Sequence, residues 1–398
     1  MVPELRQQFN QEFTEKKYEA YLKDLNNLYP GHLDFRVAET PVFIPKWFSE
    51  RMLHACEAIV DVISSKEYYQ ESERAIPREL KVPNEDIHPQ FICFDFGICE
   101  NEKGEFEPQL VEMQAFPTLY AWHSLMPEVS RKHFYWPDNY SPYLNGFTKE
   151  SYLALLKRII AAGENTENTI LLEIFPHQQK TRVDFYATQD LIGIKPVCLT
   201  EIIKEGKNLF YVNEDKKTPI HRIYNRIIFD ELQHQSPEVQ EKGKLFQEEL
   251  NVSWIPHPNW FYRISKFGLP FIKHPNVPHT QFLNEIKQLP EDLENYVIKP
   301  LFSFAGQGVI IDVTKEGIDK ITNPENWIIQ RKVKYAGVVP TPDEPAKAEI
   351  RVFYFWEAGQ PRPIAVNNLA RLSKGKMIGV RYNKDKAWVG GTFCLFEQ

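Results

Sequence analysis

Apolar and polar residues follow three successive rhythms along the 398-residue chain. Over 4–28, Leu5, Phe9, Phe13, Leu22 and Leu25 recur at three- and four-residue steps, which predicts an amphipathic helix. A second helix is expected after Pro45, from Trp47 to about Ser65. Two runs, FICFDFGIC and PQLVEMQA, then alternate with a period of two, and Lys103-Gly104 marks a turn between them. From Thr148 helices alternate with strands: SYLALLKRIIAAG closing at Gly163, then NTILLEIF, TRVDFYATQDLI and GIKPVCLT. That order predicts a small parallel sheet. A hairpin around Asn213–Lys217 and the helical DELQHQSPEVQEKGKLFQEEL follow. After Lys266 the chain reads mostly as strands: YVIKPLF, GVIIDV, WIIQRKV, EIRVFYFW, RPIAVNNLARL and VGGTFCLF. The class expected is α+β.

Composition narrows the function classes. A net charge of -7 with no basic stripe argues against a nucleic-acid binder. Five scattered cysteines, none in a CxxC pair, argue against a zinc site or a disulfide framework, so a reducing cytoplasm is the expected compartment. The polar start MVPELRQQFNQEF carries no signal-peptide core, and no apolar window approaches the length of a membrane span. No sustained heptad specifies an oligomeric state.

Three stretches carry candidate chemistry. In YVIKPLFSFAGQGVIIDV, residues 296–313, a strand delivers Lys299 beside a loop holding Gly306 and Gly308. Glycines let backbone N–H groups approach phosphates, and a strand lysine can pair with their charge. A plain hairpin with a surface lysine accounts for that stretch equally well. A Walker loop is absent, and a kinase would set its glycine loop before the lysine and carry an HRD motif, which this chain lacks. In the second stretch, alternation sets Asp95 opposite Phe94 and Phe96, and puts Glu112 and Gln114 on one face. If the loop at Lys103-Gly104 has an even number of residues, Asp95 faces Glu112 and Cys93 faces Gln114. Facing carboxylates repel unless neutralised, and magnesium is a natural neutraliser. A solvated outer sheet face is the bland alternative. In the third stretch, Arg351 and Arg371 sit on or at the end of apolar strands, each suited to phosphate or carboxylate oxygens and equally to a surface ion pair. Lys374, Arg381 and Lys384 are expected on a solvated loop.

Together these residues resemble an ATP-grasp ligase whose chain is circularly permuted. Residues 296–313 resemble the lid, Ile328-Ile329-Gln330-Arg331 the hinge, Glu349-x-Arg351 the acid-x-Arg strand, and LARL the strand of the second arginine. The metal-ligand pattern instead lies upstream, as Asp95 and Glu112-x-Gln114. That order is similar to the glutathionylspermidine synthetase group and to bacterial permuted ATP-grasp proteins, as are EMQAFPTLYAW and HRIYNR. The resemblance runs from about residue 90 onward.

It implies ATP and Mg²⁺ as cofactors, small-molecule or peptide carboxylate and amine substrates, and an acyl-phosphate intermediate. It further implies that Lys266, Lys299 and the loop with Ser303, Gly306, Gln307 and Gly308 hold phosphates. Backbone near Gln330, Arg331 and Lys332 would receive adenine; Asp95, Glu112 and Gln114 would hold metal; Arg351 and Arg371 would be catalytic. The implied division is a helical region 1–90, core 91–147, an α/β subdomain 148–262, a lid 263–333 and the remaining core 334–398. Three positions depart from the pattern: Gln114 stands for an asparagine, Cys93 for an arginine, and Arg331 for an acid. These departures keep open a nucleotide-binding module without ligase activity.

Overall fold

A computed structural model describes residues 1–303, 306–376, 378, 383 and 385–398; Arg381 and Lys384 lie outside the described residues. Its centre is a five-stranded antiparallel sheet in the order Gly390–Thr392, Ile364–Ser373, Lys347–Phe355, Phe91–Glu100, Phe106–Gln114. Strands from the first and last thirds of the chain are thus neighbours. Ile92, Phe94, Phe96 and Ile98 share one buried cluster with Met52, Ala55, Ile59 and Val60 of the helix Lys46–Ile63. Each of these side chains larger than alanine contributes roughly 1.5–3 kcal/mol by leaving water. On the other face Phe91 and Cys93 join Tyr120, Phe353 and Phe355 in a second buried cluster. With both faces covered, this is not the solvated sheet that alternation alone allowed.

The register of the first hairpin meets the expectation by an unexpected route. Near the turn, Glu100 pairs with Phe106, which leaves a five-residue loop, an odd number. That parity would misalign the acids. A register shift between Asp95 and Phe96 skips Val111, and beyond it Asp95 pairs with Glu112 and Cys93 with Gln114. The β-bulge restores the facing pair.

The parallel sheet forms in the order Ser253–Ile255, Arg222–Asn225, Thr169–Glu173, Lys195–Cys198. Its leading helix, Lys149–Ala161, starts at a Thr148–Ser151 capping box and stops at Ala162 and Gly163, both at positive φ. A three-stranded meander, Ile203–Glu205, Asn208–Asn213 and Lys216–Ile220, is inserted in this unit. HRIYNR therefore continues into the parallel sheet instead of the hairpin.

Two further expectations change. The first predicted helix is two, Pro3–Glu12 and Glu15–Leu28, because Phe13 is extended and Thr14 caps a new start by accepting from Lys17 N–H. GVIIDV makes only one bridge, Ile298 to Ile310, before the chain turns into the helix Lys315–Asp319. The N-terminal region does not stand apart: Val42–Ile44 pairs in parallel with Cys394–Glu397. The remaining small sheet, Thr280–Phe282, Trp327–Arg331, Tyr296–Pro300, closes on its own core of Leu283, Ile298, Val313 and Ile329.

Candidate functional site

The small sheet faces the acidic hairpin across one cavity. In the strand Tyr296–Pro300, Ile298 turns into that sheet's own core, so Val297 and Lys299 turn the other way. Both line a cavity of about 360 Å³, together with Glu112, Lys266, Gln330 and Arg371. Lys299 Nζ donates to the Val111 carbonyl at 3.0 Å, the residue skipped in the hairpin register, and to Gln330 Oε1 at 2.6 Å. The bulge thus supplies an acceptor for the lysine as well as aligning the acids.

Lys266 arrives on a short helical turn, Lys266–Phe271, held against the hairpin by a bond from Ala115 N–H to the Ile264 carbonyl. Arg263, three residues earlier, is anchored by Glu85 and Glu73. Lys266 Nζ donates to the Ser303 carbonyl at 2.7 Å and lies 3.7 Å from Glu112 Oε2. It therefore bridges the glycine loop and the hairpin.

Arg351 lies directly across the sheet from Asp95 and Arg371 directly across from Glu349. Arg351 grips Asp95 in a two-pronged pair, Nε to Oδ1 and Nη2 to Oδ2, both at 2.6 Å. Arg371 Nη2 donates to Asp95 Oδ2 at 2.9 Å and also to Glu349. Asp95 is wholly buried, so these three charge-assisted bonds replace its hydration. Glu349 accepts from Tyr335 Oη at 2.8 Å. The Tyr335 ring lies over Gly97, where a Cβ would come within 2.7 Å of it. Gly97 is required by that approach.

Glu112 differs from its neighbours. Arg351 stands 3.8 Å from its Oε1, beyond hydrogen-bonding range, and the side chain is 27% exposed toward the cavity. Burial pushes its carboxyl up, but Lys266, Arg351, Arg371 and Lys299 outweigh that and hold it down at about 2. Burial raises the Glu349 carboxyl, opposed by Arg371 and reinforced by Asp95 and Glu112. Burial lowers the Lys299 ammonium to about 8 against the pull of Glu112. Gln114 spends its amide nitrogen on the Phe116 carbonyl at 3.2 Å.

Val111, Val297, Val309, Ile311, Val333 and Ile378 give the cavity an apolar wall suited to a flat ring, and Tyr335, Glu349 and Lys376 complete its polar side. Gly306 lines it; Ser303, Gln307 and Gly308 line a separate open cleft on the outer side of the loop. In the expected hinge, Arg331 N–H donates to the His279 carbonyl and Lys332 N–H to the Asn295 carbonyl. Both residues nonetheless line the cavity, while their side chains bond Asp292, at 2.6 Å from Arg331, and the Glu294 carbonyl, from Lys332. Lys374, expected on a solvated loop, is buried and paired with Asp343.

The cavity therefore gathers Lys266, Lys299, Glu112, Gln330 and Arg371 from five separate stretches. Asp95 and Arg351 lie just beneath. Sequence reasoning missed Tyr335, Thr280 and the Val111 carbonyl. The small residue at Gly97 was a readable sign of close approach; nothing in the sequence announced the other two. Among the described residues no group of three or more His, Cys, Asp or Glu side chains is arranged to hold a metal ion. No described helix is long and apolar enough to cross a membrane.

No family model matches the chain. No curated protein matches it in sequence. The fold is similar to the apo form of a glutathione synthetase-like effector from Globodera pallida. The TM-score is 0.56 at 8% identity, covering 97% of this chain and 98% of that one. At that identity the likeness speaks for the fold alone: a glutathione synthetase-like architecture over the whole length.

Proposed function

We propose that this protein is an ATP- and Mg²⁺-dependent carboxylate–amine ligase of permuted ATP-grasp architecture, with the nucleotide in the cavity between the small sheet and the acidic hairpin. One observation carries the reading: Lys266 and Lys299 on one side and Glu112 and Arg371 on the other converge on one apolar-walled cavity. Among the described residues Arg371 Nε is a buried donor without a hydrogen-bond partner, available to an anion. The full-length likeness to a glutathione synthetase-like effector agrees with a ligase-type fold.

The residues fit a triphosphate. Lys266, Lys299 and Arg371 face the cavity, with Lys376 and Glu349 also in its lining, and apolar side chains form a wall for a base. For magnesium the fit is narrower. Asp95, expected among the ligands, has both oxygens engaged by arginines, so Glu112 and Gln114 would hold the ion. A hard cation there, completed by phosphate oxygens, would offset charge on the transferring group. In the reaction, a substrate carboxylate attacks the γ-phosphorus of ATP and ADP leaves; an amine then displaces phosphate from the acyl phosphate to give the amide. Lys266 and Lys299 orient the phosphates. Arg371, with Arg351 behind it, stabilises charge spreading over the transferred oxygens, and Asp95 fixes the direction of both arginines.

The test is calorimetric binding of a non-hydrolysable ATP analogue with Mg²⁺, followed by hydroxylamine trapping of an acyl phosphate with candidate acids. Binding that is lost in Lys299→Met and Glu112→Ala, and hydroxamate formed only by the wild type, is expected. Absence of analogue binding to the folded wild type refutes the site. The engagement of Asp95 favours one second reading, a nucleotide-binding module without turnover. It requires tight binding with no ADP released under any acid and amine.

A further inference from the structure

Gln330 stands in the segment that resembles an adenine hinge, and its side chain has a role of its own. Its hydrogen bonds have a fixed polarity. Thr280 Oγ1 donates to the Pro278 carbonyl at 2.8 Å, so its only hydrogen is spent. It must therefore accept from Gln330 Nε2, 3.1 Å away. That assigns the amide end for end and leaves Gln330 Oε1 facing Lys299 Nζ at 2.6 Å. The flipped amide would set NH₂ against an ammonium. All three side chains are buried, so a lost partner leaves a polar group poorly compensated.

We propose that Gln330, oriented by Thr280, is a positioning residue that aims the Lys299 ammonium into the cavity. An ammonium has three donors in tetrahedral array. The amide oxygen takes one and the Val111 carbonyl of the hairpin takes a second. The third is the one left for a ligand, and its direction follows from the other two. Thr280, Gln330 and Lys299 lie on the three strands of the small sheet, Gln330 on the central one. The chain of bonds therefore crosses the whole sheet and ends on the opposing hairpin. Lys299 also faces Glu112, Lys266, Glu349 and Asp95, and those charges stay in place when Gln330 is changed.

The inference rests on the nucleotide reading only for what the third donor meets, and the experiment separates the two. Lysine ε-carbon NMR, with Lys299 assigned from K299R, follows its titration in the wild type and in Q330M, T280V and T280S. Loss of the charge-favouring acceptor should lower the Lys299 midpoint by about one pH unit in Q330M. T280V, which leaves the amide free to turn, should lower it by a smaller step, and T280S, which keeps the hydroxyl, should titrate as wild type. T280V changes volume little and keeps the test open if Q330M fails to fold. Affinity for a non-hydrolysable ATP analogue at pH 8 should fall about fivefold in Q330M, as the charged fraction of Lys299 drops. Wild-type midpoints in both Q330M and T280V overturn the proposal. Shifted midpoints in a protein that binds no analogue would uphold the role of Gln330 and overturn the nucleotide reading instead.

Discussion

Asp95→Asn tests the arrangement of charge at the centre of the sheet. Asp95 is fully buried and accepts three bonds from Arg351 and Arg371. Asparagine keeps the shape but loses the charge, and one of its two positions becomes a donor facing a guanidinium. Removing one partner of a buried ion pair costs about 3–5 kcal/mol. Arg371 is 32% exposed and can turn partly to Glu349, so the lower end, about 3 kcal/mol, applies. Unfolding entropy is about 2.1 cal/mol/K per residue. Over 398 residues that amounts to roughly 0.8 kcal/mol/K, so Tm should fall by about 4 °C in calorimetry. The second arm is magnesium dependence. If Asp95 orients arginines and does not bind the ion, D95N should leave the Mg²⁺ concentration for half-maximal analogue binding unchanged, while E112Q raises it about tenfold. An equal rise in D95N would return Asp95 to the metal set and refute the argument.

Glu112 should also show in pH-dependent stability. Its folded carboxyl is depressed to about 2, so it contributes stability above its unfolded value of 4.5 that is lost as pH falls toward 2. Discounted for partial exposure this is about 2 kcal/mol, and denaturant titration at pH 3 and pH 6 should give a smaller difference in E112Q than in the wild type. Gly97→Ala drives a Cβ into the Tyr335 ring; we expect a loss of about 2 kcal/mol and weaker analogue binding, and unchanged denaturation midpoints would show that the ring moves freely. Arg351→Lys exchanges a two-pronged grip for a point charge and should lower Tm by several degrees while keeping net charge, read by the same calorimetry. For Lys299, whose ammonium is lowered to about 8, analogue affinity should decline as pH rises from 7 to 9, a trend absent in K299R, whose side chain stays charged.

What the sequence determined by itself was local. Alternation and a turn signal were enough to put Asp95 and Glu112 on neighbouring strands of one hairpin, because side-chain direction along a strand has a period of two. Even so, the inferred even-numbered loop is odd, and the bulge at Val111 corrects it; a bulge follows from how both strands pack, which no window of sequence contains. A strand carrying Lys299 beside positive-φ glycines was likewise readable, since glycine alone takes that backbone without strain.

Tertiary structure decided the partners of the buried charges. Asp95 meets two arginines because Lys347–Phe355 and Ile364–Ser373, from the far end of the chain, are its neighbours in the sheet. It also made the Gln330 side chain the acceptor for Lys299, through Thr280 fifty residues away. A buried charge must find its counter-charge or its hydrogen bond wherever the fold delivers one, and sequence separation does not enter that requirement.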